Sequence, residues 1–150
     1  EISACLVGSE MCIRDSAGAD IITIHQESTT RLYSCIEKIK SRGVKAGVVL
    51  SPATNEDTLK YVLDKIDMIL LMTINPGEAG PGFHEELLTK IKNVRELIGD
   101  RDIDLEVDGG IDNTNIAKCK EAGVNVFVSG GYVFKGDIAE KIKTLREALK

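Results

Sequence analysis

Met68-Ile69-Leu70-Leu71-Met72-Thr73-Ile74-Asn75-Pro76-Gly77-Glu78-Ala79-Gly80 carries a continuous apolar run straight into a glycine-rich turn. The arrangement recurs twice: Leu105-Glu106-Val107 leads into Asp108-Gly109-Gly110, and Val126-Phe127-Val128 into Ser129-Gly130-Gly131. Short continuous apolar runs are the mark of parallel strands buried on both faces. Glycines at a strand-to-helix junction let the backbone approach a ligand closely, and the amides that follow can face an anion. Three such turns converge only if their strands run parallel, so the pattern describes a phosphate site at one end of a parallel sheet. Its one obvious chemical group is Asp108.

Further strands are expected at residues 20–24 and 46–50, giving five in all, with helical patterns between them. Leu87, Leu88, Ile91, Val94 and Ile98 form one apolar stripe, and Ile138, Ile142, Leu145 and Leu149 another, each opposite a charged face. Asp137 is placed to cap the last helix, and Gly43 and Gly123 stand where helices should stop. This βα pattern, repeated five times, predicts part of a (β/α)8 TIM barrel. In that fold all strand C-termini open onto one face, and the loops after the last two strands commonly hold a phosphate. A closed barrel takes eight strands and roughly 250 residues, so the expectation is an incomplete one.

The 150 residues are 43% hydrophobic, with 14 glycines and three prolines, enough to bury a core as one domain. A net charge of −5 without any basic run argues against nucleic acid or an anionic membrane as partner. Cysteines 5, 12, 35 and 119 form no CxxC pair, so neither a zinc module nor a disulfide framework is indicated, and a cytoplasmic setting is expected. Cys35 and Cys119 fall in helical segments and read as small buried apolar groups. Residues 1–16 stand apart as an atypical segment. CLVGSEMCIRDS, residues 5–16, has no strand or helix period and resembles translated sequencing-adapter read-through, the alternative being a divergent native segment. The barrel reading therefore covers residues 17–150.

Four blocks, Gly18-Ala19-Asp20-Ile21-Ile22-Thr23-Ile24-His25, Lys45 through Thr54, Asp67 through Gly77 and Val107-Asp108-Gly109-Gly110-Ile111, match in order and spacing those of a known family. Over about residues 17–150 the chain resembles the ribulose-phosphate 3-epimerases, in the part that forms their fourth to eighth strands. The resemblance implies an isomerase of the pentose phosphate pathway that interconverts ribulose 5-phosphate and xylulose 5-phosphate. The proton at C3 is removed, and one is returned to the opposite face. It further implies two aspartates as acid and base, which also bind a divalent cation (zinc, iron(II), manganese or cobalt) with two histidines. Here Asp108 matches one aspartate, as proton carrier and metal ligand. The other aspartate and both histidines belong to blocks of the second and third strands that have no counterpart in this chain. His25 lies on the fourth strand and reads as a pocket-lining or core histidine, not a metal ligand.

Substrate contacts are expected from Gly77, Glu78, Ala79 and Gly80, from Asp108, Gly109 and Gly110, and from Gly130 and Gly131. Where the family usually has an aromatic residue and a glutamine, Glu78 and Pro81 stand, which leaves a hexulose phosphate such as allulose 6-phosphate as the alternative substrate. A third reading is a phosphate-binding partial barrel without catalysis. Met72 reads equally as core or as a neighbour of the sugar. The resemblance also implies a homo-oligomeric parent enzyme.

Overall fold

The computed structural model describes residues 18–75 and 82–150. Five strands, β1 (Ile21–His25), β2 (Lys45–Leu50), β3 (Met68–Met72), β4 (Asp104–Asp108) and β5 (Val126–Val128), form one sheet in sequence order. Every neighbouring pair is parallel. The α-helices are α1 (Leu32–Lys40), α2 (Leu87–Ile98), α3 (Ile116–Glu121), α4 (Gly130–Val133) and α5 (Ile138–Ala148).

The apolar periods explain the packing. Ile36 and Ile39 of α1, and Ile91, Val94 and Ile98 of α2, are fully or almost fully buried in one core with Ile22, Val48, Ile69, Leu105 and Val107 of the sheet. Only β2 is buried along nearly its whole length, whereas β1 and β4 alternate between buried and half-buried residues. The expectation of strands covered on both faces thus holds best in the middle of the sheet. On β4 the less covered face carries Asp104, Glu106 and Asp108, residues two apart that a strand places on one side.

Asp137 caps α5 as expected, its carboxylate accepting from the Glu140 amide at 2.8 Å. The stripe on that helix is less complete: Leu145 is buried, but Ile138 and Ile142 remain 47% and 37% exposed. The second βα unit also departs from expectation. Two short 3-10 helices, Glu56–Leu59 and Leu63–Lys65, take the place of an α-helix after β2. Leu59, Val62, Leu63 and Ile66 keep helical spacing and are all buried, so tertiary packing is retained without a continuous i→i−4 ladder.

The turn after β2 is held from two sides. Glu27 accepts hydrogen bonds from the Ser51 amide at 2.9 Å and from the Thr54 hydroxyl. From α2, the Lys90 ammonium donates to the carbonyl oxygens of Ser51, Pro52 and Thr54 at 2.9, 3.1 and 2.5 Å. Lys90 therefore spends its three donors on a turn whose carbonyls would otherwise need water.

Candidate active site

The C-terminal ends of β3, β4 and β5 open onto a cleft of about 880 Å³. Its wall takes Ile74 from beyond β3, Asp108 through Asp112 from β4 and its turn, and Val128, Gly130 and Gly131 from β5 and its turn. Gly82, Tyr132 and Lys135 complete it. Asp108 and both glycine pairs predicted from sequence are thus brought together. Gly77, Glu78, Ala79 and Gly80 lie outside the described residues.

Asp108 is the last residue of β4 and pairs in register with Met72 on β3 and Val128 on β5. Its flanks are therefore apolar. The carboxyl is half-buried, and burial pushes its pKa above the ordinary aspartate value. Glu106 is raised as well, by burial first and then by the charges of Asp108 and Asp104. A half-buried carboxyl with a raised pKa, placed at a strand end in a cleft, is a candidate general acid–base group.

The two glycine pairs are glycine for different reasons. Gly109 and Gly110 have φ of +127° and +64°, where L side chains are strained. A Cβ on Gly109 would also fall 2.6 Å from Ile74 Cγ1, and one on Gly110 2.6 Å from the Phe83 nitrogen. This turn is built tight against its neighbours. A Cβ on Gly130 or Gly131, by contrast, meets nothing within 4 Å, and neither residue has a positive φ. Among the described residues no packing demands glycine there, and the missing side chain keeps cleft space open.

Three side chains fix the Asp108–Asp112 turn. The Thr73 hydroxyl, fully buried, lies 3.0 Å from the Asp108 carbonyl oxygen and 2.5 Å from that of Gly109. Asn115 donates through Nδ2 to the Gly110 carbonyl at 2.8 Å and accepts from the Asp112 amide at 3.0 Å. The Ser129 hydroxyl donates to the Ile111 carbonyl at 2.6 Å. Sequence reading missed all three, although each is a polar residue just beyond an apolar strand or before a helix. It also missed Asp112 and Lys135 in the cleft wall. The carboxylate of Asp112 accepts from the amide and hydroxyl of Thr114, an arrangement that ties it into its own turn.

Met72 is Asp108's in-register neighbour but is not part of the cleft wall. His25 sits at the end of β1, its side chain 37% exposed and Nδ1 3.3 Å from Glu27 Oε2, so, contrary to the sequence reading, it neither belongs to the core nor lines this cleft. Cys35 and Cys119 are buried free thiols, and burial pushes Cys119 up to about 11, far from a reactive thiolate. Among the described residues no three His, Cys, Asp or Glu side chains gather where they could hold a metal ion. Asp108 alone therefore does not fit the divalent cation that the resemblance implies. Among the same residues no helix is long and apolar enough to cross a membrane.

Comparison with known proteins bears on this site. The sequence model of the Ribulose-phosphate 3 epimerase family matches residues 12–134. A ribulose-phosphate 3-epimerase of Serratia marcescens is 48% identical, aligned over 79% of this chain and 57% of its own length. The chloroplastic ribulose-5-phosphate-3-epimerase of Arabidopsis thaliana is 40% identical over 97% of this chain and 54% of its own. The chain thus spans a little over half the length of these relatives. Among solved structures, a 3-hexulose-6-phosphate synthase superposes with a TM-score of 0.73 at 25% identity, covering 94% of this chain and 67% of the other. A 3-keto-L-gulonate-6-phosphate decarboxylase of Vibrio cholerae gives 0.74 at 20% identity, covering 93% and 65%, a likeness of fold.

Proposed function

This chain belongs to the ribulose-phosphate 3-epimerase family, and from that premise we propose that it carries the phosphate-binding side and one proton-transferring acid of an enzyme interconverting ribulose 5-phosphate and xylulose 5-phosphate. Its five strands are read as the fourth to eighth of a (β/α)8 barrel. The observation that carries the reading is the placement of a half-buried carboxyl, Asp108, at a parallel strand end in the same cleft as two glycine turns.

The division of labour follows from that cleft. Gly130 and Gly131 leave room for a phosphoryl group against bare backbone, while the tight Gly109-Gly110 turn sets the distance from that group to Asp108. As base, the Asp108 carboxylate takes the proton from C3, and the C3–H electron pair passes into an enediolate spanning C2 and C3. As acid, it returns a proton to C3. Its raised pKa suits both directions. Inversion at C3 needs a second acid on the opposite face, and Asp112 is already engaged by Thr114, so Asp108 serves one face only. A bound divalent cation would stabilise the enediolate oxygens. The described residues do not assemble a site for one.

Two assays test the reading in a longer polypeptide that contains this chain. Conversion of ribulose 5-phosphate supports it. Exclusive turnover of allulose 6-phosphate would transfer the same chemistry to a six-carbon substrate, and absence of turnover on either would leave only a phosphate-binding role.

A further inference from the structure

A phosphate monoester carries close to two negative charges at neutral pH. The cleft proposed to receive it has Asp108 and Asp112 in its wall, within a chain of net charge −5. Backbone amides offer only partial charges. Beside the carboxylate of Asp112 and the half-buried carboxyl of Asp108, a full positive charge within the cleft favours the entry of a dianion. Among the described residues, Lys135 is the one lysine or arginine of the cleft wall.

Its ammonium is free for that task. The Lys135 amide is used, donating to the Tyr132 carbonyl at 3.4 Å, but no hydrogen bond or ion pair among the described residues engages its side chain. Several other lysines are committed: Lys90 to three carbonyls, Lys118 to Glu85, and Lys141 to the ring of Tyr132 at 4.4 Å. Lys135 follows the Gly130-Gly131 turn by a few residues and lines the same cleft, in which a Cβ on either glycine would meet open space. A compact ammonium on a flexible stem suits a phosphoryl group, which it can meet as a point charge without fixed geometry.

We propose that Lys135 is the specificity-determining residue that makes this cleft select a doubly charged phosphate ester, its ammonium pairing with the phosphoryl group received at Gly130-Gly131. This rests on the phosphate reading of the cleft, and deepens it by assigning the counter-charge. It separates recognition from chemistry: Lys135 holds the phosphate end, and Asp108 acts at the carbon.

The test is a titration of the 15N-labelled chain with inorganic phosphate at constant ionic strength, following the amide resonances of Gly130 and Gly131. Loss of one charge-assisted hydrogen bond corresponds to about tenfold weaker binding in Lys135→Met. Lys135→Arg, which keeps the charge, should stay close to the parent chain. Lys143→Met removes the same charge from an ammonium 3.9 Å from Glu147 and outside the cleft wall, and should leave binding unchanged. Lys135 is exposed, so the dispersed spectrum should persist in every variant. Equal affinity in Lys135→Met and the parent chain overturns the proposal, as does an equal loss in Lys143→Met. If Lys135→Met binds normally while Gly130→Val does not, the phosphate site stands and only the assignment of Lys135 falls. If the parent chain shows no phosphate-dependent shifts at Gly130 and Gly131, both fall.

Discussion

Thr73 and Asp108 are joined twice: the Thr73 amide donates to the Asp108 carbonyl oxygen at 2.8 Å, and the Thr73 hydroxyl lies 3.0 Å from the same oxygen. The residue that ends the apolar run of β3 therefore fixes where the β4 carboxyl is presented. Its hydroxyl proton is shared with the Gly109 carbonyl, so one buried group serves both the strand end and the turn. Thr73→Val keeps the shape and removes the hydroxyl. Leaving buried acceptors short of a donor should cost about 1–3 kcal/mol. Urea unfolding measures this, and Thr73→Ser should recover most of it. An unchanged midpoint in Thr73→Val would show that the turn is held by Asn115 and Ser129 alone.

The glycine turns make opposite predictions. Gly110→Ala places a Cβ 2.6 Å from the Phe83 nitrogen at φ +64°, and should destabilise the fold by more than about 1 kcal/mol. Gly130→Val meets no protein atom within 4 Å at its Cβ, so thermal stability should hold while affinity for a phosphate ester falls. Loss of stability in Gly130→Val, with binding intact, would reverse the roles assigned to the two turns.

Glu27 gives the fold a defined acid response. Partial burial raises its pKa, but hydrogen bonds from the Thr54 hydroxyl and the Ser51 amide, then from its own amide and His25, outweigh that and take it from 4.5 down to about 2. A depressed carboxylate contributes stability that is complete above the unfolded value and is lost as pH falls through the folded one. The window is therefore pH 4.5 to 2. Denaturation followed across it should show a shallower loss in Glu27→Gln than in the parent chain, because the amide does not titrate. Parallel curves would mean that the clamp on the Ser51–Thr54 turn adds no proton-linked stability.

Much of the fold was legible because most of the parallel strands are nearly continuous apolar runs, β4 with Glu106 being the exception, and all five expected runs became strands. Asp108 was legible for the complementary reason, a carboxyl at the end of such a run followed by two glycines. What escaped was tertiary. Thr73, Asn115 and Ser129 reach carbonyls of a turn up to 36 residues away, and no local pattern marks a hydroxyl or amide for that task. Helical spacing from Leu59 to Ile66 reported burial correctly but not the hydrogen-bond ladder, since 3-10 turns can present the same residues. Lys135 was invisible because a lone lysine among charged helices has no signature until the cleft is seen.

Catalytic dependence on Asp108 has a distinct signature. In a longer polypeptide with epimerase activity, Asp108→Asn should keep the fold and lower kcat by on the order of 10²-fold or more, the range for loss of a general acid–base group. The 150-residue chain alone should show no turnover of ribulose 5-phosphate with added zinc, iron(II) or manganese, because the role proposed for Asp108 covers one face of C3 only. Stopped-assay detection of xylulose 5-phosphate decides both, and turnover by the chain alone would require a second acid among its own residues.

The central claim, that this cleft receives a ketose phosphate between the two glycine turns beside Asp108, is tested most directly by titrating the 15N-labelled chain with ribulose 5-phosphate. Saturable shifts should concentrate at the amides of Gly109, Gly110, Gly130 and Gly131, with much smaller changes for unphosphorylated ribulose. Shifts that are absent from these four residues, or identical for the two sugars, would contradict it.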